Sequence, residues 1–227
     1  MNTLAYRQFY HRHLPHIVPP GSTFFVTFRL IDSIPKAEVR SYKARLECLE
    51  DEMKRLARQN DESPEAAAHL ERLQSFKRDW FVKFEDILHK ARIGPVWLKD
   101  GRVAKIVVDS LHFLDGRSYT LNAYCVMSNH VHAVFRPLLT EADLCEEVPE
   151  SGYHFTLARI MKSLKGFTAR EANRVLGRKG NFWEPETYDH FVRDATEYDR
   201  IIRYVLNNPV KAGLVKNWQE WEWSYRK

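Results

Sequence analysis

The 227 residues of this chain predict an α+β fold: an antiparallel sheet of the split βαβ plan with helices on one face, interrupted by a helical hairpin. Three observations carry that expectation. The segment "GSTFFVTFRL", Gly21 to Leu30, follows a Pro-Pro-Gly break and is rich in aromatic and β-branched residues, as a strand is. The segments "SYTLNAYCVMS" and "HVHAVFRP" read as two more strands of an antiparallel hairpin. Around them, apolar residues recur at the spacing of one helix face.

The elements follow in order. From Lys36 to Gln59 helix formers dominate, with Val39, Tyr42, Leu46, Leu49, Met53 and Leu56 at helical spacing. A second such segment, about Ala66 to Ala91, follows a break at Asn60 to Pro64, so residues 36–92 form a helical insertion. A turn at Lys99 to Gly101 precedes an amphipathic helix from Val103 to Leu114, which stops at Gly116. After the strand hairpin come an acidic linker, Glu141 to Gly152, and a helix that ends at Gly177. The segment "NFWEPETYDHFVRD" is aromatic and interrupted by Pro, which suggests an irregular stretch or a short strand. The last helix, within "ATEYDRIIRYVLNNPVKAGL", is expected to end at Asn207 and Asn208, because Pro209 disfavours helical geometry before it.

Composition bounds the function. Hydrophobic residues make up 44% and charged ones 29%, the pattern of a folded domain. No stretch approaches the roughly 18 apolar residues of a membrane span, and the leader lacks a signal-peptide core, so the expected compartment is the cytoplasm. Cys48, Cys125 and Cys145 are widely spaced and form no CxxC, which points to neither a disulfide framework nor a thiolate zinc site. Net charge is +5, and the segment 162–179 carries Lys162, Lys165, Arg170, Arg174, Arg178 and Lys179 against Glu171 alone. Such a run is either a solvated helix face or a surface for a polyanion.

His130 and His132 sit one residue apart in an apolar run, and side chains alternate along a strand, so both imidazoles share a face. Two imidazoles can grip one metal ion, yet a metal site needs further ligands. Val134 stands where an HxHxDH hydrolase would have Asp, and the chain has no HExxH, GxSxG or Walker-type loop. On the last helix Tyr204 and Asn208 are spaced i, i+4, a phenol and an amide one turn apart. By themselves the histidines read equally well as a satisfied pair, while Tyr204 and Asn208 read more readily as a core ring packed with Ile201 and Val205 and a cap.

Taken together, "HLPHIVPPGSTFFVTFRL", "AYCVMSNHVHAVF" and "FWEPETYDHFVRD…EYDRIIRYVLNNPVKAGLV" resemble the REP-associated tyrosine transposases, single-tyrosine members of the HUH (histidine, hydrophobic, histidine) transposases. The motifs cover most of the chain in the family's order. The resemblance implies one ferredoxin-like HUH domain over 1–227, with the insertion 36–92 inside it and a helical region, 153–227, carrying the nucleophile. It implies cleavage and rejoining of single-stranded DNA at palindromic, hairpin-forming repeats, without a nucleotide cofactor. His130, His132 and Asn208 would hold a divalent metal, Mg²⁺ or Mn²⁺, and Tyr204 would attack the phosphate to leave a 5′-phosphotyrosine link.

In that reading Lys162, Lys165, Arg170, Arg174, Trp183 and Arg193 are DNA-binding candidates, Phe182, Trp183 and Tyr188 are rings that could stack unpaired bases, with Phe182 and Trp183 reading rather more as core, and His190 is a further metal or phosphate ligand. No membrane partner is implied, and both a monomer and a dimer are compatible with the family. The alternative is a catalytically inactive repeat-binding regulatory protein that keeps the fold but needs no Tyr204. A small-molecule metalloenzyme built on the same histidines would instead show a closed pocket and no DNA affinity.

Overall fold

The computed structural model describes residues 10–11, 15–16, 21–58, 63–138 and 156–227. The acidic linker and most of residues 1–20 lie outside them, as does Cys145. The chain divides into two compact units, one of residues 1–31 and 95–227 and one of residues 32–94.

In the first unit, β1 (Tyr10–His11) and β2 (Pro15–His16) pair as a short antiparallel ribbon. The main sheet has β3 (Phe24–Leu30), β4 (Tyr119–Val126), β5 (His130–Pro137), β6 (Trp183–Phe191) and β7 (Ser224–Arg226). Its order is β6-β3-β5-β4-β7, with every pair antiparallel.

Alternation sorts these strands into two faces. Phe24, Val26, Phe28 and Leu30 of β3 and Val131, Ala133 and Phe135 of β5 enter one core with two helices. Those helices are α3 (Gly101–Leu114), which contributes Val103, Val107 and Leu111, and α4 (Thr156–Val175), which contributes Ile160 and Leu164. This is the helix-covered face that the sequence predicts. The opposite face carries Phe25, Thr27, His130 and His132, and there α5 (Ala195–Lys211) brings Tyr204 against Phe25 and His132. The sheet is therefore covered by helices on both faces.

Two segments run further than the sequence suggests. β6 is a nine-residue strand despite Pro185; it forms a sheet edge, and Pro185 falls where the pairing with β3 shifts register, between Trp183 and Thr187, a place where proline is tolerated. Helix α5 continues through Pro209 to Lys211. Pro209 cannot donate to the carbonyl four residues back, that of Val205, and the Asn208 side-chain amide reaches that oxygen at 3.4 Å.

The second unit is an antiparallel pair, α1 (Lys36–Arg58) and α2 (Pro64–Lys90). Ser63 caps α2, accepting from the Ala66 amide at 3.2 Å, with Pro64 in the first turn where its absent N–H is harmless. Tyr42 of α1 stacks on Phe76 at 5.5 Å and meets Trp80 and Phe84, so the hairpin has an aromatic seam. At its base Gly94 has φ 76°, and a Cβ there would stand 2.4 Å from the Asp32 carbonyl oxygen, so only Gly closes the unit.

Candidate active site

The tight connection between β4 and β5 places the histidines. Met127 N donates to the His130 carbonyl at 2.9 Å, while the Ser128 and Asn129 carbonyls accept from Leu98 (3.2 Å) and Leu30 (2.8 Å). This turn is held on three sides, and the strand that leaves it starts with His130. Both histidines are fully buried, and their Nε2 atoms stand 3.1 Å apart.

Each ring is held by its other nitrogen. His130 Nδ1 is 2.7 Å from Asn129 Oδ1, and His132 Nδ1 is 2.8 Å from Thr27 Oγ1, its register partner on β3. Both oxygens can accept a hydrogen bond, so both rings can carry their hydrogen on Nδ1 and turn both Nε2 lone pairs to one point. Two imidazole nitrogens bound side by side to one cation at about 2.1 Å stand about 3.0–3.4 Å apart. The observed spacing falls in that span, and the donor set fits a divalent metal. Thr27 and Asn129 were missed in the sequence. Asn129 adjoins His130, but Thr27 becomes visible only through the strand register.

Tyr204 is half-buried on α5, its ring 5.6 Å from that of His132 and 5.8 Å from that of Phe25. One turn later Asn208 is buried and donates its amide nitrogen to the Tyr204 carbonyl at 2.8 Å. An amide carries nitrogen and oxygen on opposite corners, so this bond directs Oδ1 away from the helix backbone. His130, His132 and Tyr204 are thus brought to one place on the sheet, with Asn208 one turn along the same helix.

The predicted DNA-contacting residues fare unevenly. Lys162 and Arg170 are exposed on α4 and flank a cleft of about 440 Å³ between α4 and β6, floored by Met161 and Phe182. Lys165 instead donates to the Pro185 carbonyl (2.9 Å) and the Thr187 hydroxyl (3.2 Å), tying α4 to the sheet edge. Arg174 pairs with Glu171, and Arg178 lies over the Trp97 ring at 3.7 Å. Trp183 is buried against Phe28 and Phe182 and donates to the Thr168 hydroxyl at 2.9 Å, so its ring belongs to the core. Tyr188 is half-buried and packs edge-on against Phe25. His190 faces Glu197 at 3.1 Å and Arg193 grips the same carboxylate at 2.9 Å. Burial pushes the Glu197 carboxyl up, but the hydrogen bonds from Arg193 and the nearby His190 outweigh it and hold the group at about 2. Burial also pushes the Cys125 thiol up to about 12, too high for a thiolate role.

Among the described residues no helix is long and apolar enough to cross a membrane. No protein-family model matches the chain. A REP-associated tyrosine transposase of Escherichia coli is 29% identical over 108 residues, which cover 48% of this chain and 54% of that protein. A Haemophilus influenzae protein named provisionally for the same kind of transposase is 24% identical over 102 residues, 45% of this chain and 56% of its own length. The chain spans about half the length of the curated relatives it matches. A solved structure of a REP-associated tyrosine transposase bound to a REP hairpin aligns with 95% of this chain and 80% of that one, at 16% identity and a TM-score of 0.42. Over about half of its length the chain resembles the REP-associated tyrosine transposases.

Proposed function

We propose that this chain is a metal-dependent single-stranded DNA endonuclease and transesterase, a transposase that cuts and rejoins DNA at hairpin-forming palindromic repeats. The observation that carries the reading is the Tyr204 ring 5.6 Å from His132, whose Nε2 is itself 3.1 Å from that of His130. A nucleophile and a cation-binding pair on one face are what phosphoryl transfer between oxygens requires. A repeat-binding protein without catalysis has no use for that juxtaposition.

His130, His132 and the Asn208 oxygen are the residues that would hold the ion, and imidazoles with an amide oxygen suit Mn²⁺ more readily than Mg²⁺. When bound, the cation supplies charge neutralisation on the non-bridging phosphate oxygens. The Tyr204 phenol loses its proton to solvent and its oxygen forms a bond to phosphorus. The bond from phosphorus to the 3′-oxygen breaks, and that oxygen leaves as a 3′-hydroxyl after taking up a proton. The product is a 5′-phosphotyrosine link, which a 3′-hydroxyl can attack to rejoin a strand. The cleft between α4 and β6, flanked by Lys162 and Arg170, is the surface assigned to further DNA contacts.

Incubation with hairpin-bearing single-stranded DNA and Mn²⁺, followed by a denaturing gel, tests the reading. Wild type is expected to give a protein–DNA band that Tyr204→Phe lacks while still binding DNA. A wild-type protein that binds such DNA yet forms no band at any repeat sequence would refute the enzymatic reading.

A further inference from the structure

The stripe of α5 that carries Tyr204 and Asn208 continues one turn back to Arg200, since positions four apart share a helix face. Arg200 has company. Glu197, only 6% exposed, accepts from the Arg193 backbone amide at 2.9 Å, from its Nε at 3.1 Å and from its terminal nitrogen at 2.9 Å. The same carboxylate accepts from Arg200 at 3.2 Å and faces His190 Nε2 at 3.1 Å. One buried acid therefore holds two guanidinium groups side by side.

Those groups are aligned but not consumed. A guanidinium has five N–H donors, and the Arg193 and Arg200 side chains remain 57% and 70% exposed. Of the other acids in this turn, Asp194 spends its carboxylate on the Glu197 amide at 2.8 Å, as the helix N-cap, and Asp199 lies off the stripe. Exposure falls along the stripe, from 70% for the Arg200 side chain through half-buried Tyr204 to 1% at Asn208. His190 is also the register partner of Phe25, whose ring meets Tyr204 at 5.8 Å. The exposed cations and the tyrosine thus lie on one path from solvent into the site.

We propose that Arg193 and Arg200, aligned by Glu197, form a fork that binds the backbone phosphate next to the one Tyr204 attacks. This rests on the reading of Tyr204 as a nucleophile toward DNA. Paired guanidinium groups suit the geometry of phosphate oxygens, and the positive N-terminal end of α5 adds to the attraction. A purely structural role explains Arg193, whose bonds to Glu197 close the β6–α5 junction. It leaves Arg200 unexplained, because a single contact from so exposed a side chain adds little stability.

The test is fluorescence anisotropy in EDTA, where no strand is cut, with single-stranded hairpin oligonucleotides that carry one uncharged methylphosphonate at successive positions. In wild type, neutralising one phosphate beside the cleaved bond is expected to weaken binding about tenfold, the scale of a charge-assisted hydrogen bond. Arg200→Gln should lose about as much on unmodified DNA and nothing further on that oligonucleotide, and its slope of log affinity against log salt should fall by about 0.7. Arg200→Lys should recover part of the loss, and melting curves should show all variants folded. If Arg200→Gln and Arg193→Gln bind every oligonucleotide as wild type does while wild type captures DNA covalently, the fork is wrong and the transposase reading stands. If wild type binds no single-stranded DNA, both fall.

Discussion

Asn208 gives its side-chain nitrogen to the Tyr204 carbonyl at 2.8 Å and to the Val205 carbonyl at 3.4 Å, which joins a proposed ligand to the backbone that carries the proposed nucleophile. The second bond reaches the oxygen that Pro209 cannot serve. Asn208→Ala removes both and should lower stability by about 1–2 kcal/mol. Urea denaturation checks this: the midpoint should fall with no change in the slope, and an unchanged midpoint would contradict it.

Thr27 and Asn129 are expected to govern metal affinity through the histidines they hold. Thr27→Val removes the oxygen 2.8 Å from His132 Nδ1 and should weaken Mn²⁺ binding about 10- to 100-fold, whereas Thr27→Ser should bind nearly as wild type. Titration calorimetry with Mn²⁺ alone reads the difference. Equal affinities for Val and Ser at position 27 would show that the hydroxyl plays no part.

Acid should weaken the β6–α5 junction. The Glu197 carboxyl is held at about 2, below its ordinary 4.5, so its ionised form stabilises the fold above pH 4.5 and that contribution is lost as pH falls through 2. Glu197→Gln should therefore melt lower than wild type at pH 7, and the gap should close as pH drops from 4.5 towards 2. A gap that stays constant over that range would contradict the assignment.

Much of this arrangement is legible in the sequence because local signals and tertiary demands agree. The strands Phe24–Leu30 and His130–Pro137 announce themselves by composition, and α1, α2 and α3 by periodicity and stop signals. Pro185 and Pro209 mislead, since each is tolerated for a reason supplied by the fold: one sits on a sheet edge, and the other has its orphaned carbonyl covered by Asn208. The three-residue strand β7 carries too little pattern to be read at all. At the site, the two histidines follow from strand alternation, while Thr27 depends on a pairing between residues far apart in the chain. A count of charges along the basic helix does not reveal that Lys165, Arg174 and Arg178 also make contacts within the protein.

Trp183 likewise counts as core. Its indole N–H reaches the Thr168 hydroxyl, which in turn donates to the Leu164 carbonyl at 2.7 Å. Trp183→Phe should cost about 2 kcal/mol from the lost bond and packing, and a double-mutant cycle with Thr168→Val should give a coupling of about 1 kcal/mol. Strictly additive losses would mean that the bond contributes nothing.

The most direct test of Tyr204 as the attacking group uses single-stranded repeat DNA labelled at one end or the other, incubated with Mn²⁺ and resolved on a denaturing gel. A 5′-phosphotyrosine link retains the fragment on the 3′ side of the cut, so only the 3′-end label should travel with the protein, and Tyr204→Phe should abolish it. Label retained from the 5′ end, or retained by Tyr204→Phe, would contradict the account.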